Sequence, residues 1–186
     1  MELMDAIYKR RSVRAYADRN VDKATVTTLI KVAIQAPSAL NAQPWAFAVI
    51  QDAARLKQYS DRAKAHTLKS LEPGSPLFSH RDMLVDPGFN IFYDAATLVI
   101  ICAKPAALNA AEDCCLAAQN LMLAACGMGL GTCPIGFARP WLNLPEVKRE
   151  LGIPDDYEPV FPVIVGFPKG DPPPVARKEP EILFWK

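Results

Sequence analysis

One domain in which helices alternate with a few short apolar strands is what the sequence predicts, and three observations predict it. A length of 186 residues suits a single domain, and a hydrophobic share of 51% supplies material for a core. Segments of helical periodicity are separated by short β-prone runs. No amino-terminal apolar stretch precedes a small-residue cleavage site, and the longest apolar runs, such as "AATLVIICA", are far short of a bilayer span. A cytoplasmic chain with no membrane partner is expected, organised as one domain over 1–186.

Residues 2–9 and 22–36 have helical spacing, the second with Val26, Leu29, Ile30, Ala33 and Ile34 on one apolar face and Pro37 as its stop. A strand, "AFAVIQD", follows, then a polar helix from Ala53 to about Ala65. The region 66–90 mixes prolines and glycines with scattered hydrophobes. Weak periodicity over that length suits either a lid or a plain surface insertion. "TLVIICA" reads as a buried strand. In "AEDCCLAAQNLMLAACG" the apolar residues run almost all the way round the helix, so cover is needed on every side, and a second copy of the chain supplies it.

That helix ends at Gly127, in "GMGLG". A dinucleotide fingerprint must lie between a strand and the start of a helix, whereas these glycines leave one, so a nicotinamide-type Rossmann domain is not expected. "TCPIGF", a helix from Pro145 through Leu151 and a final strand "PVFPVIVGF" come next. Five prolines, at 168, 172, 173, 174 and 180, then make 168–186 an extended arm ending in "ILFWK". Its apolar end is expected to grip either the partner subunit or its own domain.

The charge balance is close to neutral, 21 Lys+Arg against 20 Asp+Glu. Without a chain-wide positive field or a basic, aromatic-interleaved face, no nucleic-acid partner is expected. Against that background "RRSVR", Arg10 to Arg14, concentrates three guanidinium groups and a hydroxyl. It is either a solvated run or the site of a concentrated anion. The five cysteines, at 102, 114, 115, 126 and 133, lie in apolar segments without metal spacing and read as small buried hydrophobes. With only His66 and His80, both in a polar, loop-like region, no metal site is expected.

Four separated signals run in order along the chain: "RRSVR", "PSALNAQPW", the glycine-rich exit into "TCPIG", and the basic pair in "ARK". Together they resemble the FMN-dependent nitroreductase family, with 66–90 the least regular part. The resemblance implies an α+β, three-layer fold, with a mostly antiparallel central sheet flanked by helices, and an intertwined homodimer holding FMN in its interface. It also implies site residues. Arg10 and Ser12 would meet the FMN phosphate, Arg11 the ribityl and phosphate side, and Arg14 the pyrimidine edge of the ring. Planar guanidinium forks suit phosphate oxygens. Pro37, Ser38 and Asn41 would approach the flavin from the other subunit, with Gln43-Pro44-Trp45 as scaffold. Pro134-Ile135-Gly136 would lie over the isoalloxazine, the Gly136 N–H donating toward N5. Many relatives carry a glutamate before that glycine. Here the segment reads "PIGF", and a backbone donor survives the change. Arg177, or Lys178 by a slip of one, would complete the phosphate site, and Asn90 would reach the pyrimidine edge or simply serve a turn.

The implied activity is transfer of hydride from NAD(P)H through FMN to a small nitroaromatic or quinone acceptor, in ping-pong order. Arg14 and Gly136 would serve the reduced ring. Other flavin reactions on the same fold, namely dehalogenation, flavin fragmentation and heterocycle oxidation, remain alternatives, as does a non-catalytic FMN-binding module.

Overall fold

In the computed structural model, which describes residues 1–105 and 107–186, the chain runs α1 (Leu3–Lys9), α2 (Lys23–Ala33), β1 (Trp45–Ile50) and α3 (Ala53–Lys69). It continues with α4 (Arg81–Val85), β2 (Thr97–Ala103), α5 (Ala110–Gly127), β3 (Gly131–Pro134), α6 (Arg139–Leu142), α7 (Pro145–Glu150) and β4 (Glu158–Gly166). The strands form one antiparallel sheet in the order β1-β2-β4-β3.

β2 is buried along its whole length because helices cover both faces of the sheet. Val99, Ile101 and Ala103 join a core with α2 and α5, whereas Leu98, Ile100 and Cys102 join a second core with α3, α6 and α7. Helix, sheet, helix is the layering that the resemblance implies. Capping follows local chemistry: Asp22 accepts from the Thr25 N–H at 2.8 Å to open α2, and Asp52 from the Arg55 N–H at 2.9 Å to open α3. α2 ends at Ala33, earlier than expected. Two tight turns, Gln35 N–H to Val32 O and Ala36 N–H to Ala33 O, bring the chain to Pro37, before which helical geometry is disfavoured.

The region 66–90 differs most from expectation. α3 continues through Lys69, a 3₁₀ turn covers Phe78–His80, and α4 follows at once, so His66 is helical rather than in a loop. The helical period persists through Ser60, Ala63, Lys64 and Thr67, all buried, but two of these look like surface residues in the sequence. Lys64 is accommodated because its Nζ donates to Asp86 O at 2.9 Å and Phe89 O at 2.6 Å, which ties the end of this region back onto α3.

α5 buries Cys114, Ala117, Ala118, Leu121 and Ala125 but leaves Leu116 exposed. Cys115 is exposed too and Cys126 only half-buried, which corrects the reading of all five cysteines as buried: the face carrying Cys115 points away from the sheet. α1 leaves Leu3, Met4, Ile7 and Tyr8 exposed. Beyond Gly170 the chain has no helix or strand among the described residues. Its apolar end does not pack on its own domain, and Trp185 is 87% exposed.

Candidate functional site

The arginine segment that follows α1 is held against β3 and the end of β4. Val13 N–H donates to Thr132 O at 2.9 Å, Ala17 N–H to Phe167 O at 2.8 Å, and Lys169 N–H to Ala15 O at 2.9 Å. Two glycines make this approach sterically accessible. A Cβ on Gly131 would stand 2.7 Å from Val13 Cγ2, and one on Gly166 2.6 Å from Tyr16 Cδ1. Tyr16 closes the segment on itself, its hydroxyl donating to Val13 O at 2.8 Å. Burial pushes the Tyr16 phenol well above its ordinary value, so it stays a neutral donor.

Held in this way, Arg10, Arg11, Ser12 and Arg14 line a cavity of about 560 Å³ together with Lys169, Asp171 and Arg177. Five cationic side chains thus share the cavity with one carboxylate, Asp171. Arg11 is partly committed, its Nη1 donating to Tyr8 O at 2.6 Å and Arg10 O at 2.8 Å at the end of α1. Its Nε is buried without a partner among the described residues. Arg177 lines the cavity and Lys178 does not. Lys169 was missed in the sequence. The only signal for it is that no other cation stands between Phe167 and Arg177.

Arg14 also lines two neighbouring cavities. One, of about 340 Å³, is walled by Pro134, Ile135, Gly136, Phe137, Tyr93 and other apolar residues. The other, of about 360 Å³, includes Asn90, Tyr93, Asp94 and Lys169. Tyr93 and Asp94 both take left-handed backbone angles, φ 50° and 58°, a strain that persists only where the surroundings enforce it. Asn90 enforces it: its Nδ2 donates to Asp94 Oδ1 at 2.8 Å, and its Oδ1 accepts from the Phe92 N–H at 2.9 Å. The Asn90 side chain therefore serves its own turn while the residue borders the cavity. The Arg14 guanidinium lies 5.9 Å from the centre of the Tyr93 ring.

The ladder of β3 closes with Ile135 N–H donating to Pro162 O at 2.9 Å. Gly136 comes next, exposed, with no atom within 4 Å of where a Cβ would stand. Cys133 borders the same cavity, but burial raises its thiol against the lowering effect of Arg14, so it is no ready nucleophile.

Pro37, Ser38 and Asn41 are not brought to these cavities within one chain. Their segment is braced against α5, where buried Asp113 accepts from the Ala39 N–H at 3.1 Å. It is shaped by left-handed Leu40, Asn41 and Gln43, with the Gln43 N–H donating to Ser38 Oγ at 3.0 Å. Leu40 projects outward, 92% exposed.

A nitrobenzene nitroreductase of Ectopseudomonas oleovorans is 30% identical over 197 residues, covering 88% of this chain and 85% of its own length. An iodotyrosine deiodinase of Thermotoga neapolitana is 26% identical over 180 residues, covering 86% and 92%. The crystal structure of a nitroreductase with bound FMN from Bacteroides fragilis shares the fold, with a TM-score of 0.82 at 24% identity over 100% of this chain and 98% of that one. Residues 7–167, which span the arginine segment, the sheet and the Pro134–Gly136 wall, match the model of the Nitroreductase family, and the chain belongs to that family.

Proposed function

We propose that the protein is an FMN-dependent oxidoreductase that takes hydride from NAD(P)H and reduces a nitroaromatic or quinone-type acceptor in ping-pong order. One observation carries the reading: a strongly cationic cavity and a largely apolar one share Arg14. FMN has the matching polarity, a phosphate at one end and a flat ring at the other. Five cationic side chains around one carboxylate suit the phosphate end.

In this reading Arg10, Ser12 and Arg177 would hold the phosphate, and Arg11 would stiffen the end of α1 on the ribityl and phosphate side. Pro134-Ile135-Gly136 and Arg14 would hold the ring, the Gly136 N–H as a backbone donor toward it and Arg14 as the positive charge beside it. Bound flavin supplies the two-electron chemistry. What the chain adds is fixed positive charge from Arg14 where negative charge collects on reduction, and a backbone donor that needs no reorganisation. For a nitro acceptor the balance is one NAD(P)H and one proton consumed per nitro group, giving a nitroso product and water.

The protein is expected to purify yellow and to bind FMN far more tightly than riboflavin, with NADH or NADPH bleaching the bound flavin on mixing. Equal competition by riboflavin would defeat the phosphate assignments. Flavin that resists both donors would leave a binding module. A dehalogenating reaction is the second reading, favoured by the deiodinase relative. Release of iodide from an iodophenol, faster than turnover of a nitroarene, would establish it.

The same reading makes the protein a homodimer. Leu116 on α5, the apolar residues of α1 and the exposed arm want cover, and Ser38 and Asn41 reach a flavin only across an interface. Light scattering at low micromolar concentration should give twice the chain mass of 20.4 kDa. A monomer with full flavin occupancy would remove Pro37, Ser38 and Asn41 from the site.

A further inference from the structure

The flavin reading leans on the charge of Arg14 but leaves that charge unheld. The side chain is long and exposed, and its guanidinium has no ion-pair or hydrogen-bond partner among the described residues. A charge free to wander stabilises a developing anion less than one already in place. What faces the guanidinium is the ring of Tyr93, its centre 5.9 Å from Arg14 Cζ, within the range at which a cation and an aromatic face attract. Tyr93 lines the apolar cavity and its neighbour of about 360 Å³, and Arg14 lines both.

The Tyr93 ring is itself fixed from several sides. Tyr93 and Asp94 are consecutive left-handed residues and neither is glycine, a conformation that their Cβ atoms disfavour. Asn90 holds it with both polar atoms of its side chain, and its carbonyl accepts from the Tyr93 N–H at 2.9 Å. α3 anchors the approach. The buried Ser60 Oγ accepts from the Ile91 N–H at 3.0 Å, and Lys64 Nζ donates to Phe89 O at 2.6 Å. The Phe89 ring, on the backbone so anchored, meets the Tyr93 ring edge to face, centres 5.7 Å apart at 78°. Chain reversal alone needs none of this, since a glycine at 93 or 94 would make the same turn without strain. Strain kept by so many bonds points to the placement of a side chain.

We propose that Tyr93 is a positioning residue for Arg14: the turn pinned by Ser60, Lys64 and Asn90 presents its ring so that the guanidinium is held at the border of the cationic and apolar cavities. The ring acts through its π face and not through its hydroxyl. The inference rests on the flavin reading above and adds to it the group that fixes the charge.

The test is potentiometry with FMN titration on the FMN-loaded protein, in wild type, Tyr93→Phe, Tyr93→Leu, Arg14→Gln and the combination of the last two. Tyr93→Leu should weaken binding of reduced relative to oxidised FMN about 2- to 5-fold, the effect of one cation–π contact at a half-exposed site. That ratio lowers a two-electron midpoint potential by about 9–21 mV. Tyr93→Phe should keep the wild-type potential. On the Arg14→Gln background Tyr93→Leu should lower it no further, because the ring then has no charge to hold. An unchanged potential in Tyr93→Leu overturns the inference alone, as does a fall of equal size on the Arg14→Gln background. A fall in Tyr93→Phe as deep as in Tyr93→Leu also overturns it, giving the effect to the hydroxyl. Should Tyr93→Leu not fold, Asn90→Ser, which frees the same turn, takes its place in the cycle with the same expected direction. A wild type that holds no FMN, or Arg14→Gln at the wild-type potential, refutes the flavin reading of Arg14 and the inference with it.

Discussion

Arg10→Ala is expected to weaken FMN binding about 10- to 150-fold, the equivalent of about 1.5–3 kcal/mol for lost hydrogen bonds to a charged group. Turnover should be near normal once FMN is added in excess, because Arg10 lines the cationic cavity and not the apolar one beside Gly136. Arg14→Gln should fail in a different way. Arg14 borders all three cavities. Without its charge the anionic reduced ring is less stable, so the midpoint potential should fall and reduction by NAD(P)H should slow while FMN stays bound. An affinity titration beside potentiometry on both variants separates the roles. If Arg14→Gln releases flavin at unchanged potential, or Arg10→Ala shifts the potential at unchanged affinity, the assignments must be exchanged or dropped.

Gly131→Ala should cost FMN affinity without touching the cofactor. The new Cβ would come within 2.9 Å of three Val13 side-chain atoms, its Cβ and both γ carbons, closer than packed carbons tolerate. The strain is relieved only by moving Val13, which carries Ser12 and Arg14 with it. Overpacking of this kind destabilises by about 1–3 kcal/mol. A displacement of the arginines should add a tenfold or greater loss of FMN affinity. Val13→Ala removes the two γ carbons, and the double variant should recover part of both losses. Recovery of stability without any recovery of affinity would show that the glycine supports the fold but does not position the arginines. Measuring melting temperature and FMN affinity on the two single variants and the double completes the cycle.

Much of this architecture is readable from the residues. The strands β1, β2 and β4 show because β-branched and apolar runs are bounded by turn residues, and α2 because Val26, Leu29 and Ala33 repeat at helical spacing and are indeed the residues it buries. The last turn of α3 was hidden because Lys64 and Thr67 put polar side chains at buried positions, and α4 and α6 because five and four residues are too few for a period. At the site, the gathering of Arg10, Arg11, Ser12 and Arg14 with Arg177 follows chemistry that adjacent arginines announce. Lys169 and Tyr93 were not announced. Lys169 reaches the cavity through a single backbone bond to Ala15, and Tyr93 through a left-handed turn that no glycine marks. Such positions are fixed by tertiary contacts, which leave no local pattern to read.

The two-sided burial of β2 has a consequence for how the chain finds its alignment during folding. In a strand with one wet face, a slip of one residue drives polar side chains inward, and polarity itself rejects the error. "TLVIICA" offers no such penalty, because either face of a slipped strand would still be apolar. Alignment must be enforced by shape instead: by the irregularity between Ile101 and Cys102 in the pairing with β4, and by the snug seating of Val13 on Gly131 and Tyr16 on Gly166. The same notches that seat the arginine segment thus also act as a proofreading device for the sheet, and enlarging either should populate misaligned, kinetically trapped chains before it unfolds the native one.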